Sequence, residues 1–212
     1  MRRWLSAAAS LAVVAPLLQG CVPVVIGAGS AAAYSSYDDR RSTGTQMEDE
    51  GIELRAMNRI DQRYGFKVHV NITSFNRSVL ITGEVPDART RDEIEKIVAA
   101  VPNVRALSNE LEIGVVPSLS ARTGDTLITS NVKARFLGAR RFNPLHVKVV
   151  TEAGVVYLMG VVTDAEANAA ADIARTTDGV RKVVKVFEYC KSGEDLCRPR
   201  PAPPVDKTKP AA

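Results

Sequence analysis

One nine-residue pattern of this chain recurs with substitutions, and that repeat constrains the fold more than any other feature. Val79-Leu80-Ile81-Thr82-Gly83-Glu84-Val85-Pro86-Asp87 returns 77 positions later as Val156-Tyr157-Leu158-Met159-Gly160-Val161-Val162-Thr163-Asp164. Val68-His69-Val70 precedes the first copy and Val147-Lys148-Val149 the second. Val104-Arg105 and Leu111-Glu112-Ile113 follow the first, as Val180-Arg181 and Val184-Lys185-Val186 follow the second. Self-similarity of this kind decides architecture before any local propensity does. With 212 residues, the chain holds two small domains, each with a modest core.

Each copy reads helix, strand, strand, helix, strand. In the first, Thr45 and Glu48 form a candidate capping box, and Ile52, Ala56 and Ile60 share one helical face. Val68, Val70 and Ile72 alternate as a strand, Ser74 to Arg77 reads as a turn, and Val79 and Ile81 continue a hairpin. Asp87 caps a helix carrying Ile94, Ile97, Val98 and Val101, and the last strand lies within Val104 to Ile113. In the second copy Asp125 is the expected cap of a helix with Ile128, Val132 and Phe136 inward and Gly138 at its end. A hairpin around Glu152-Ala153-Gly154, a Thr163–Glu166 capping box and a strand from Val183 to Tyr189 complete it. Gly83 and Gly160 recur at what read as strand exits, where the backbone needs their freedom. The fold class is therefore α+β: two tandem αββαβ domains, each a three-stranded mixed sheet with two helices on one face. The boundaries are residues 47–115 for the first domain, 116–124 for a linker and 125–190 for the second. Residues 191–212 form a Cys-closed loop and a disordered, Pro-rich tail.

The amino terminus is an address. Arg2 and Arg3 precede Trp4 to Leu18, a run of 15 residues without charge. That is the length of a signal-peptide core and short of the roughly 20 residues that span a bilayer. An uncleaved anchor is the alternative, but Pro16, Pro23, Gly27 and Gly29 interrupt the uncharged stretch. Leu18-Gln19-Gly20-Cys21 resembles the bacterial lipoprotein processing box. The resemblance implies removal of residues 1–20 and acylation of Cys21. Val22, standing where Asp would retain a lipoprotein in the inner membrane, implies lipid anchoring in the outer membrane, facing the periplasm. Residues 21–46 read as a lipidated terminus and flexible tether. Without residues 1–20 the formal charge falls from +4 to +2, so no nucleic-acid partner is expected.

The tandem units, with Leu80-Ile81-Thr82-Gly83-Glu84-Val85 and Leu158-Met159-Gly160-Val161-Val162, resemble BON domains. The second copy and the lipoprotein leader are similar to the dual-BON outer-membrane lipoproteins, the division- and outer-membrane-stress-associated lipid-binding family. That resemblance implies a non-enzymatic role in envelope integrity, with anionic phospholipid bound by the first helix of the second domain. The charges agree: residues 48–64 carry a net −2, whereas 125–141 carry +3. Leu127 and Leu137 fall off the core face, and with Lys133, Arg140 and Arg141 they form the candidate lipid-binding edge. Arg135 lies nearer the core. Members of the family often carry Trp where this chain has Leu127. The same edge serves equally for a domain–domain contact. The alternative function is a protein-interaction module, assisting outer-membrane protein assembly or regulating cell-wall hydrolases.

No catalytic constellation appears, and no metal-ligand set or cofactor is expected from two histidines and three cysteines. His69 and His146 read as exposed strand residues. Cys190 and Cys197 close a small loop in an oxidising compartment or remain free thiols.

Overall fold

The structure is a computed structural model that describes residues 39–198. The leader, Cys21, residues 22–38 of the expected tether and the tail from 199 onward lie outside the described residues. The first domain runs α1 (Thr43–Tyr64), β1 (His69–Phe75), β2 (Ser78–Val85), α2 (Ala88–Ala99), β3 (Ala106–Ile113). The second runs α3 (Leu119–Ala139), β4 (Val147–Glu152), β5 (Val155–Val162), α4 (Asp164–Arg175), β6 (Lys182–Tyr189). Strand order is β1-β2-β3 and β4-β5-β6; in each sheet the hairpin is antiparallel and the last pair parallel. The expected αββαβ repeat is thus the fold.

Each domain buries its own core between helices and one sheet face. Ile52, Ala56 and Ile60 of α1 meet Val70, Ile72, Val79 and Ile81 of the hairpin and Ile94 and Val98 of α2. In the second domain Val132 and Phe136 of α3 meet Val149, Val156 and Leu158, with Ala167, Ala170 and Ala174 of α4. Each fully buried Ile or Leu contributes about 1.5–3 kcal/mol. Alanines on α4 let that helix approach its sheet closely.

The opposite sheet faces are not left to solvent. Phe75 and Leu80 of the first domain join Tyr157, Met159 and Val161 of the second in a third buried cluster, which also takes in Cys190 and Cys197. These two cysteines are joined by a disulfide, with Cα atoms 5.7 Å apart. The bridge packs into the cluster between the domains. Polar contacts ring that cluster. Asn71 donates to Glu152 at 2.7 Å, Lys148 reaches Glu53 at 2.9 Å, and Arg105 makes a two-pronged pair with Glu188, which also accepts from Asn76 at 2.7 Å.

Three expected boundaries shift. The sequence reads as tether up to residue 46, but α1 begins at Thr43, capped by the Ser42 hydroxyl on the Thr45 amide. Residues 116–124 read as linker in the sequence, but α3 begins at Leu119, capped by Ser118, and Gly124 and Asp125 lie inside it. The linker therefore shrinks to Gly114–Ser118. Gly138 does not end α3, which stops one residue later with Arg140 in the left-handed region at φ 50°. The Thr163–Glu166 capping box and the Asp87 cap form as expected.

Residues 39–42 strap the domains together. Arg40 pairs with both carboxylate oxygens of Glu166 at 2.8 and 3.0 Å and donates to the carbonyls of Val161 and Cys197. Arg41 pairs with Asp49 at 2.9 Å and lies 3.9 Å over the Phe75 ring. One arginine thus holds the second domain and the next holds the first. Burial pushes the Glu166 carboxyl up, but the Arg40 hydrogen bonds, the Thr163 amide and the Arg40 charge outweigh it and bring its pKa down to about 2. A depressed carboxyl contributes stability that is complete above the ordinary 4.5 and lost as pH falls toward 2. Arg40→Ala should cost about 2 kcal/mol at pH 7. It should also flatten the stability profile between pH 4.5 and 2, read from denaturant midpoints across that range. An unchanged profile would show that the pair contributes nothing.

Candidate functional site

The predicted lipid-binding residues lie on α3 and just past its end. Val132 and Phe136 are buried and fix the helix to its sheet, while Phe142 packs edge-on to Phe136 at 5.0 Å and holds the chain beyond the helix. Asp125 does not cap α3. Its carboxylate accepts from the amides of Ala153 and Gly154, tying the helix to the β4–β5 turn. Asp49 does the same for the β1–β2 turn, accepting from the amides of Asn76 and Arg77. Sequence reading missed this equivalence. Its signal was an Asp placed alike ahead of both core faces.

That anchoring turns Leu127 and Leu137 outward, 61% and 68% exposed. The described interdomain contacts run through the sheet faces and the strap, away from Leu127 and Leu137. Lys133 is exposed and sits on the flank of α3 that faces the first domain, lining a cleft of about 490 Å³ with Arg122, Thr126, Ser130, His69 and Asn71. Arg140 and Arg141 are exposed just past the helix end, beyond Leu137. Arg135 points the other way. It donates to the Ile173 carbonyl and to Thr176 and Thr177 at the end of α4, so it is a structural residue. Arg122 was missed because residues 116–124 read as linker; once α3 starts at Leu119, it lies one turn from Asp125 and Thr126 on the cleft side.

Both histidines depart from expectation. His69 lies on the outer face of its sheet, as alternation requires, but that face is covered by the second domain. Its Nδ1 is 2.8 Å from Glu84 and 3.7 Å from Glu152. His146 is buried in a short 3₁₀ turn, Pro144–His146, 3.5 Å from Glu166. Burial, followed by the charges of Glu84 and Asp125, raises the Glu152 carboxyl above its ordinary pKa, against the lowering pull of Asn71 and His69. Gly83 and Gly160 do not mark strand exits. They lie within β2 and β5, where a Cβ would stand 2.0 Å from the His69 carbonyl oxygen and 2.2 Å from that of His146.

No helix among the described residues is long and apolar enough to cross a membrane. Among relatives, the chain is 40% identical over 174 residues to the outer membrane lipoprotein DolP of Haemophilus influenzae, covering 81% of this chain and 90% of that one. It is 33% identical to a 21 kDa hemolysin of Actinobacillus pleuropneumoniae over 71% of this chain and 79% of the relative. It is 29% identical to osmotically-inducible protein Y of Escherichia coli, over 66% and 72%. The BON domain family matches residues 49–115 and 124–191, which are the two αββαβ units just described, and the chain accordingly belongs to the BON family.

Proposed function

We propose that this BON-family outer-membrane lipoprotein is held by acylated Cys21, faces the periplasm, and binds anionic phospholipid through α3 in support of envelope integrity. The observation that carries this reading is the outward pair Leu127 and Leu137 on a helix whose other sides are committed to the core, to α4 and to the cleft. Lys133, Arg140 and Arg141 flank that pair. Each basic residue near an anionic surface adds about 1 kcal/mol, and each well-buried Leu about 1.5–3 kcal/mol. Orientation costs remove much of this, leaving weak intrinsic binding. Weak binding suffices once the lipid anchor makes the second contact intramolecular. Leu at position 127 offers apolar area without an indole's interfacial preference, so electrostatics carry a larger share here.

The test uses a soluble chain lacking the first 21 residues, co-sedimented with liposomes with and without anionic lipid. Leu127→Glu should lower binding to anionic liposomes at least tenfold while leaving circular dichroism and melting unchanged, because Val132 and Phe136 hold the helix. Arg140→Glu with Arg141→Glu should weaken binding and flatten its salt dependence. Leu54→Glu, at an equally exposed position of α1, should do little. Wild-type binding by the Leu127→Glu protein would place the lipid contact elsewhere.

A second reading, docking of a protein such as outer-membrane assembly machinery or a cell-wall hydrolase regulator, is favoured by the first domain. Phe66 is fully exposed just after α1, and Met47 and Leu54 are exposed along that helix. Such a contact is compatible with lipid binding by the second domain, and Leu54→Glu would impair it selectively.

A further inference from the structure

We propose that His69, Glu84 and Glu152 bind a zinc ion that joins the two domains. His69 and Glu84 face each other directly across the β1–β2 ladder, so the first domain's hairpin places two ligands without help from any loop. Glu152 comes from the end of β4 in the second domain. His69 Nδ1 is 2.8 Å from Glu84 Oε2 and 3.7 Å from Glu152 Oε1, and one donor atom from each residue lies within 4.8 Å of the others. Zinc bound at about 2.0–2.2 Å to nitrogen and oxygen sets tetrahedral ligands about 3.3–3.5 Å apart. The three donors therefore need move only by tenths of an ångström to a little over one.

Charge points the same way. Glu84 and Glu152 are only 8% and 7% exposed, and among the described residues the ion pairs of both run to His69, with no Lys or Arg within 4.0 Å. Two buried carboxylates beside one imidazole are an expensive arrangement that a dication relieves. An imidazole in the set favours zinc over magnesium or calcium, which prefer all-oxygen shells. Asn71 is the positioning residue: its amide holds the second oxygen of Glu152 at 2.7 Å and leaves the first directed at His69. The cleft lined by His69, Asn71 and Glu152 gives the ion access from solvent and room for water as a fourth ligand. The repeat makes this site single. Val70 pairs with Gly83 and Val147 with Gly160, so the strand register makes His146 the counterpart of His69, but Val161 stands where Glu84 does in the first copy.

The experiment takes the full-length, untagged protein in nonionic detergent, strips it with a chelator and dialyses it against zinc. One zinc per chain is expected, weakened at least 100-fold by His69→Ala and at least tenfold by Glu152→Gln, with magnesium failing to compete. These variants can also loosen the domain contact, so a second measurement uses the wild type alone. The chain has two histidines, and zinc should shift the imidazole resonances of His69 and not those of His146. The proposal is overturned by a wild type that takes up no stoichiometric zinc at 100 micromolar free ion, by a His69→Ala protein of unchanged affinity, or by shifts confined to His146.

Discussion

Gly160→Ala is expected to destabilise the second domain by roughly 3–5 kcal/mol, although it adds a single methyl group. The added Cβ would lie 2.2 Å from the carbonyl oxygen of His146, a backbone atom joined to Val147, the β4 partner of Gly160, so no side chain can swing aside. Backbone at φ 157° adds strain for an L side chain. Gly83→Ala should do the same to the first domain, more severely, with its Cβ 2.0 Å from the His69 carbonyl and φ at 122°. Gly124→Ala provides the opposite sign. It lies inside α3 with nothing within 4 Å of a Cβ, and helix propensity alone should stabilise by about 0.5–1 kcal/mol. Hydrogen exchange resolved by domain checks the set: protection should fall in β4 and β5 for Gly160→Ala, in β1 and β2 for Gly83→Ala, and rise in α3 for Gly124→Ala. Retained protection in β5 of the Gly160→Ala protein would mean that the hairpin can part at no great cost.

The repeat and the 3.6- and 2-residue periods were enough to place every helix and strand in order, because each core-facing residue is set by its own element's period. Ile52, Ala56 and Ile60 needed no partner to be recognised, and neither did Val132 and Phe136. What escaped was the relation between the domains. Val155–Val162 is apolar at nearly every position, the mark of a strand buried on both faces. Read against its repeat it passed as half of an ordinary hairpin, and the opposing sheet face of the first domain went unseen. His69 was judged exposed for that reason: its face was assigned correctly and its neighbour was not. The strap was illegible for a different cause. Asp39, Arg40 and Arg41 look like solvated charge until Glu166 and Asp49, far off in the chain or on a helix face, come to meet them. The off-core position of Leu127 and Leu137 was legible because it depends on helix geometry alone.

Asp49→Ala is expected to cost about 4 kcal/mol, the largest loss from any charged residue described here. Four donors converge on this buried carboxylate: the Ser74 hydroxyl at 2.7 Å, the amides of Asn76 and Arg77 at 2.8 and 2.7 Å, and the Arg41 guanidinium at 2.9 Å. The turn it organises holds two non-glycine residues, Asn76 and Arg77, at positive φ of 53° and 62°. Their strain is offset by the two hydrogen bonds to Asp49, so alanine there loses the bonds and leaves the strain. It also strands Arg41, whose remaining ion pair is with its close neighbour Asp39 and whose stacking on Phe75 ties the strap to the interdomain cluster. Asp125→Ala, at the equivalent place in the second domain, should cost only about 1 kcal/mol. That carboxylate accepts two amides and no guanidinium, and of the two positive-φ residues in its turn only Ala153, at 48°, is not glycine; Gly154 takes 73° without strain. The difference should appear as a fall in melting temperature of roughly 10 °C for Asp49→Ala against about 3 °C for Asp125→Ala. Asp49→Asn should fall between, since an amide oxygen still receives the turn while the charge facing Arg41 is gone. Equal losses for Asp49→Ala and Asp125→Ala would show that the two turns depend on their carboxylates alike and that the strap adds nothing.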